Sequence, residues 1–452
     1  MTSNERRAVS ALSLIMALRM IGLFMILPVF ALYAPHLHGV TPTLLGLAMG
    51  IYGLTQALLQ IPFGALSDHF GRKPIILCGL LLFALGSGVA AMAHTIVGMI
   101  IGRALQGAGA IGSTIMAMIA DLTREEHRTK AMAITGMTIG LSFSIAMILG
   151  PLLTRWITVG QLFFLAMLFS LVAIVILYTL VPQPAASTWH RETEPELAAF
   201  VTLFKNADLM RLNSGIFILH IILTASFIAI PITLQNYVHL AEHQQGWLYG
   251  PALLIAFMFS LTGIIVAEKN QQLKPFFLIA IVLLGVSEIL FFIAPNSLTM
   301  AAIGLTVFLT GFSTLEAFLP SLISKTAPAT RKGTALGIYS CAQFFGIFIG
   351  GIVGGWLYQH FSLFSIYLFC VILSGMWLVL AIFMKPPHHL VTRLFKLSPQ
   401  HWQTIQPTVK QYPGLVEITY IPEEATLYLR MDKHVLQHPD FFRLQETLQS
   451  SH

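Results

Sequence analysis

A chain of 452 residues with 56% hydrophobic and only 10% charged side chains cannot coat soluble globules, which carry roughly 25% charged residues. The net charge of +6 does not indicate nucleic acid, because the basic residues are distributed by membrane side rather than gathered in a patch. Apolar blocks about 20 residues long, the length a helix needs to cross hydrocarbon, recur twelve times before residue 385. No strand-period alternation runs through them, which favours a helical bundle over a barrel.

In chain order, Glu5, Arg6 and Arg7 precede an apolar run from Ala8 to Tyr33 that is too long for a signal peptide and lacks a clear cleavage site, so it reads as an uncleaved first span. Spans 1 to 6 are predicted over residues 8–33, 44–64, 75–93, 96–119, 131–153 and 161–181. Between spans 2 and 3 lies Gly64 to Leu77, GALSDHFGRKPIIL, a short basic stretch with one acid. Residues 182–208, containing PQPAASTWHRETEPE, are the longest polar stretch between spans and read as a linker. Spans 7 to 12 follow over 209–235, 247–267, 275–294, 299–322, 334–357 and 362–384. The loops on one side hold Arg72, Lys73, Arg124, Arg128, Lys274 and Arg331 among others, whereas those on the other hold only Arg155, which places both termini in the cytoplasm. Cys78, Cys341 and Cys370 sit inside apolar blocks without CxxC spacing and read as small core residues.

Two sets of six spans suggest a duplication. Asp121, Thr123 and Arg128 after span 4 correspond to Ser324, Thr326 and Arg331 after span 10, at a constant separation of 203. Gly263 to Pro275, GIIVAEKNQQLKP, looks like a worn copy of the Gly64 stretch, with Glu268 near the acid's place. From residue 385 to 452 the chain turns polar. A strand over His389–Leu397, a helix over Pro399–Gln411, strands over Val416–Ile421 and Thr426–Met431, and a helix over Pro439–Gln449 are predicted, a βαββα module of ferredoxin-like order. This module suggests regulation or self-association. Its His388, His389, His401, His434 and His438 are too scattered for a metal site and read as solvated surface.

The Gly64 stretch resembles the signature of the major facilitator superfamily, G-x-L-x-D-R-x-G-R-K-x-x-L. Gly64, Leu66, Asp68, Gly71, Arg72 and Lys73 match it, Ile76 is a near-equivalent, and His69 departs where the family usually has Arg. GRALQGAGA, Gly102 to Ala110, resembles the family's helix-4 motif through Arg103, Gln106 and Gly107. ILGP, Ile148 to Pro151, is similar to the helix-5 motif of drug/proton antiporters, although Thr154 and Arg155 stand where two glycines usually follow. The resemblance implies an all-α membrane protein of the major facilitator fold, with two pseudo-symmetric six-helix halves at 1–181 and 209–384 and a cytoplasmic module at 385–452. It also implies a conformational latch made of Gly64, Asp68, Gly71, Arg72, Lys73 and Asp121, which holds the halves in the outward-open state.

In physical terms Asp68, at the end of span 2, can face the positive start of span 11 near Gly333, where a carboxylate gains roughly 0.3 to 2 kcal/mol. Arg72 is expected to pair, in bidentate fashion, with Asp121 at the end of span 4. The alternative is that these are topology charges in a solvated loop.

Ionisable groups inside spans are expensive, which makes Arg19, Arg103, His220, Glu288 and Glu316 functional candidates. Glu316 ends a polar stripe of Thr306, Thr310 and Ser313 and is the foremost proton site, with a structural acid as the competing reading. His220 shares a face with Asn213, Phe217 and Thr224 and is either a proton site, a substrate partner or a structural hydrogen-bonder. Arg103 shares a face with Gln106 and Ser113; without a nearby acid in sequence it points to proton coupling across the cavity or to an anion, and Arg19 allows the same two readings or a helix-packing role. Glu288 reads as structural. Tyr52, Gln56 and Gln60 line one face of span 2, and Tyr339 and Gln343 repeat the pattern on span 11, so these either line a substrate cavity or bond helix to helix.

No GxxxxGK[ST] motif supports ATP use, no cofactor or metal is expected, and no nucleophile, base and orienter occur together as an enzyme needs. The sequence therefore reads as a secondary transporter of the bacterial inner membrane that exchanges a small solute outward for protons. An uptake symporter or facilitator is the second reading, and a non-transporting sensor acting through the tail the third. Expected partners are a small-molecule substrate, protons, membrane lipid and, through the tail, a second copy.

Overall fold

A computed structural model describes residues 1–183, 203–328, 331–384, 390–410, 415–421 and 426–432. The linker stretch at 184–202, the turn at 422–425, the last predicted helix and the side chains of all five tail histidines lie outside the described residues. Twelve helical segments are long and apolar enough to cross a membrane. Spans 2 and 3 are Pro42–Phe70 and Arg72–Ala91, spans 5 and 6 Glu125–Leu153 and Val159–Thr179, and spans 7 and 8 Ala207–Asn236 and Glu242–Lys269. Spans 9 to 12 are Leu273–Ile293, Leu298–Thr326, Lys332–His360 and Leu363–Ile382.

Spans 1 and 4 are each broken, which their hydropathy does not reveal. Span 1 runs Ser3–Phe24 and then Leu27–Tyr33; the interruption lies just ahead of Pro28, whose missing N–H and ring disfavour an uninterrupted helix. Span 4 runs Ile96–Ala108 and Gly112–Asp121, and the gap at 109–111 brings the Gly109 backbone against the carbonyl oxygen of Gly79 in span 3. The Gly64 stretch also differs from expectation, because it is not a loop. Span 2 remains helical through Phe70 and span 3 starts at Arg72, with Gly71 alone between them at φ 92°, a conformation that L side chains rarely adopt.

The packing repeats between the two sets of spans. Span 1 touches 5 and 6, span 2 touches 4, and span 3 touches 4 and 6; span 7 likewise touches 11 and 12, span 8 touches 10, and span 9 touches 10 and 12. Two long seams join the sets, span 2 with 11 and span 5 with 8, and span 7 adds a shorter contact with Leu27–Tyr33 of span 1 and with span 2. Along the first seam the backbones meet directly. A Cβ on Gly46 would strike the carbonyl oxygen of Gly351, one on Gly53 that of Phe344, and one on Gly355 that of Pro42. The Thr43 N–H donates to Gln359 Oε1 at 3.1 Å, and the Cys341 thiol to the carbonyl of Ala57 at 3.4 Å. Toward the end bearing Asp68 the contact ceases: Gly64 faces Ser113 of its own set, and a Cβ on Gly337 or Gly333 would meet nothing within 4 Å. Spans 5 and 8 behave alike, with Gly246 against Leu152 but Gly136 and Gly140 facing open space. The bundle is closed at the end of Pro42 and Gln359 and parted at the end of Asp68.

Of the cysteines only Cys370 is buried; Cys341 is half-buried in the seam, and Cys78 is exposed on the outer face of span 3 rather than in the core. In the tail, β1 (Leu390–Lys396), a helix (Pro399–Lys410), β2 (Leu415–Ile421) and β3 (Thr426–Asp432) form an antiparallel sheet of order β1-β3-β2. Leu427 and Leu429 are fully buried against Trp402, Ile405 and Val409 of the helix, and Trp402 stacks on Tyr420 with ring centroids 5.3 Å apart.

Candidate functional site

At the parted end, Gly71 turns the chain so that Arg72, opening span 3, lies back across span 2. Its Nη1 pairs with Asp68, one helical turn earlier, and donates to Ser67 Oγ at 2.7 Å, while its Nε donates to Asp121 Oδ2 at 2.9 Å. The expected bidentate pair with Asp121 does not form. The guanidinium fork is divided between two carboxylates and a hydroxyl, because Asp68 and Ser67 at the end of span 2 lie within its reach as well as Asp121 at the end of span 4. Among the described residues Asp68 is thus engaged within its own set of helices instead of at the start of span 11, from which that end has parted. Lys73 Nζ donates to the Val181 carbonyl at 2.6 Å, closing the end of span 6. Lys274 Nζ donates to the Ile382 carbonyl at 2.7 Å, and both pairs are separated by 108 residues. The worn copy continues in Glu268, whose Oε1 lies 3.8 Å from Lys325 Nζ at the end of span 10.

Deeper in spans 1 to 4, Arg19 is wholly buried. Its Nη2 donates to Gln56 Oε1 at 2.9 Å and its guanidinium lies 5.5 Å from the Phe83 ring centroid, while Nε and Nη1 make no hydrogen bond of good geometry. Arg103 lies over Tyr52 at 5.2 Å and donates to the Ala48 carbonyl at 3.3 Å, the Met49 carbonyl at 3.5 Å and Gln106 Oε1 at 2.9 Å. Gln106 passes the chain on to Ser87 Oγ at 2.8 Å. Gln60 and Tyr52 are buried, the Oε1 of one and the hydroxyl of the other without a hydrogen bond of good geometry. Ser113, expected on the face of Arg103, lies beyond the break in span 4 and donates to the Gln60 carbonyl at 3.1 Å.

In the other set, spans 7, 10 and 11 meet at Gln343. Its Nε2 lies 3.0 Å from Glu316 Oε1 and 2.9 Å from His220 Nε2, and His220 Nδ1 lies 3.2 Å from the Ile216 carbonyl. These contacts fit a neutral histidine protonated at Nδ1, so that the amide group donates once to the carboxylate and once to the ring. Glu316 is half-buried with Oε2 unpartnered, 3.8 Å from His220 Nε2, and Tyr339 and Asn213 are buried with unpartnered oxygens. The hydroxyls of Thr306 and Thr310 turn back to carbonyls of their own helix at 2.7 Å, so the expected stripe does not bond to Glu316 through them. Glu288 is fully buried, accepting from Ser226 at 2.7 Å. Sequence reading missed Ser67, Ser87 and Ser226, which carry no spacing signal. It also missed the role of Lys274, although the Lys-Pro pair at 73–74 recurs at 274–275.

A helical membrane protein whose two similarly packed six-span sets meet along two seams, with polar groups buried within, has the architecture of a membrane transporter. The chain belongs to the Major Facilitator Superfamily, whose family model matches residues 12–267 and 212–419. It is 39% identical over 438 residues to the inner membrane transport protein YajR of Escherichia coli K12, covering 96% of each chain. To multidrug resistance protein 1 of Bacillus subtilis it is 24% identical over 379 residues, 82% of this chain and 94% of that one. Its fold is similar to the crystal structure of a D-xylose-proton symporter, with TM-score 0.69 at 15% identity, covering 85% of this chain and 98% of the other.

Proposed function

We propose that this protein is a secondary active transporter that exports a small solute in exchange for protons, rocking its two six-span halves (1–181 and 209–384) about the seams. The carrying observation is Gln343, which ties Glu316 and His220 to span 11, the helix whose next turn packs on Gly53 of the opposite half. With Glu316 charged, the Gln343 amide donates to it; a proton on Glu316 removes that charge-assisted bond, and one on His220 Nε2 replaces an acceptor with a donor and forces the amide to turn. Either event changes what span 11 is held by.

The basic end is cytoplasmic by the positive-inside rule, so the arrangement described here is inward-open. Asp68, Arg72, Asp121, Lys73, Gly64 and Gly71 then act as a latch that closes on span 11 in the outward-open state. The likeness to an Escherichia coli inner membrane transport protein supports the bacterial inner membrane as location, and the likeness to a multidrug resistance protein supports efflux. The β1-β3-β2 order supports a ferredoxin-like tail that regulates transport or mediates self-association.

The test is a pH gradient imposed across proteoliposomes with a candidate solute inside. Glu316→Gln is expected to abolish gradient-driven flux while leaving exchange of solute for solute. Retention of wild-type gradient dependence in that variant would reject proton coupling through Glu316.

A further inference from the structure

Among the described residues, the first six spans bury two cations away from their ends, Arg19 and Arg103, whereas their one buried acid, Glu5, lies at the parted end. Between Ala8 and Ser67 the only residue among Asp, Glu, Lys and Arg is Arg19, and between Pro74 and Ala120 the only one is Arg103. Both are buried, and among the described residues neither has a carboxylate within 4.0 Å; Glu5 and Asp121 are paired with Arg124 and Arg72 at the parted end. Tyr52 lies beside both Arg19 and Arg103, with its ring under the Arg103 guanidinium at 5.2 Å.

A buried guanidinium without a counter-charge is costly, and unmade donor bonds add to the cost. Arg103 offsets part of it with two carbonyls, a glutamine and the Tyr52 ring. Arg19 offsets less of it: beyond its bond to Gln56, two of its three nitrogens and the nearby Tyr52 hydroxyl make no hydrogen bond of good geometry. What is missing beside Arg19 is an acceptor that is negative and planar or tetrahedral, the chemistry of a carboxylate or phosphate oxygen. The surroundings are aromatic, with Phe83 against Arg19 and Phe344, from span 11, edge-on to Tyr52 at 6.1 Å.

We propose that Arg19, with the Tyr52 hydroxyl and the field of Arg103, is the cradle for the oxyanion of a small aromatic solute, so that the transported class is organic anions. This rests on the transport reading above and narrows its substrate. The competing account is that Glu316 crosses the cavity to neutralise Arg19 in another state.

The test uses the full chain in phosphatidylcholine nanodiscs, titrated calorimetrically with benzoate, phenyl phosphate and neutral benzamide. At least one anion is expected to bind about tenfold or more tighter than benzamide, Arg19→Gln to remove that preference, and Arg19→Lys to keep part of it. A wild-type protein that binds both anions no better than benzamide overturns the proposal, as does a preference unchanged in Arg19→Gln. Loss of the preference in phosphatidylglycerol nanodiscs would assign the cradle to a lipid headgroup and overturn the solute assignment. In vesicles, Glu316-dependent, proton-driven flux of benzamide matching that of benzoate would defeat the cradle alone, whereas absence of any proton-driven flux would defeat the transport reading.

Discussion

Arg72 serves two carboxylates and a hydroxyl, and this sharing sets what its neighbours are worth. Its side chain is 16% exposed, against 34% for Asp68 and 39% for Asp121, so each ion pair is solvent-screened. Asp68→Asn or Asp121→Asn alone is expected to cost about 0.2 to 1 kcal/mol, because the remaining acid still holds the guanidinium. The double variant leaves Arg72 only Ser67, and its cost should exceed the sum of the two. Thermal unfolding in detergent, arranged as a double-mutant cycle, measures this, and strict additivity would contradict a shared fork. Gly71 invites a second substitution. An alanine there meets only Pro74 Cδ at 3.8 Å, so Gly71→Ala should lose about 1 to 2 kcal/mol from the φ of 92° alone, seen as a lowered unfolding midpoint.

At the scale of elements, the lysines that begin spans 3 and 9 occupy matching places in two sets of spans that pack alike. Lys73 and Lys274 each cap the carbonyl end of the last span of their own set. A cation at a helix C-terminus contributes roughly 0.3 to 1 kcal/mol, so Lys73→Met and Lys274→Met should lower the unfolding midpoint by similar amounts. A loss confined to one of them would mean that only one half retains the cap. This equivalence was half legible in sequence: Gly263–Pro275 aligns with the Gly64 stretch, but only the structure shows the matching carbonyls. The twelve spans were legible because hydrocarbon imposes length and composition on each. The break in span 4 was not, since Gly109 to Ile111 is as apolar as its surroundings and is interrupted by close approach to Gly79, a tertiary fact. The one-residue connection at Gly71 was hidden for a related reason, because Ser67, Asp68 and His69 are polar but helical, and polarity alone suggested a loop. The Gln343 bridge was visible only as a shared face; that its amide would join Glu316 to His220 depends on how spans 7, 10 and 11 converge.

Over the whole molecule, the seam between spans 2 and 11 is a set of backbone contacts that admit no side chain, so it can be wedged. Gly351→Leu would drive a side chain into the carbonyl of Gly46 and the Cα of Gly50, leaving the closed end only the choice of separating. On the proposed rocking of the halves, the open space at Gly333 and Gly337 leaves room for the parted end to shut. Cys341 reports the motion, because it sits half-buried on span 11, bonded to the carbonyl of Ala57, where the two helices begin to diverge. In a Cys78→Ser background, with Cys370 buried, a membrane-impermeant maleimide should reach Cys341 from the Asp68 side. Adding Gly351→Leu should slow that labelling severalfold, and restoring room at Gly46 cannot reverse it, since glycine is already the smallest residue there. If the wedge instead left labelling unchanged while the protein stayed folded, the two ends of the seam would open independently and the halves would not move as rigid units.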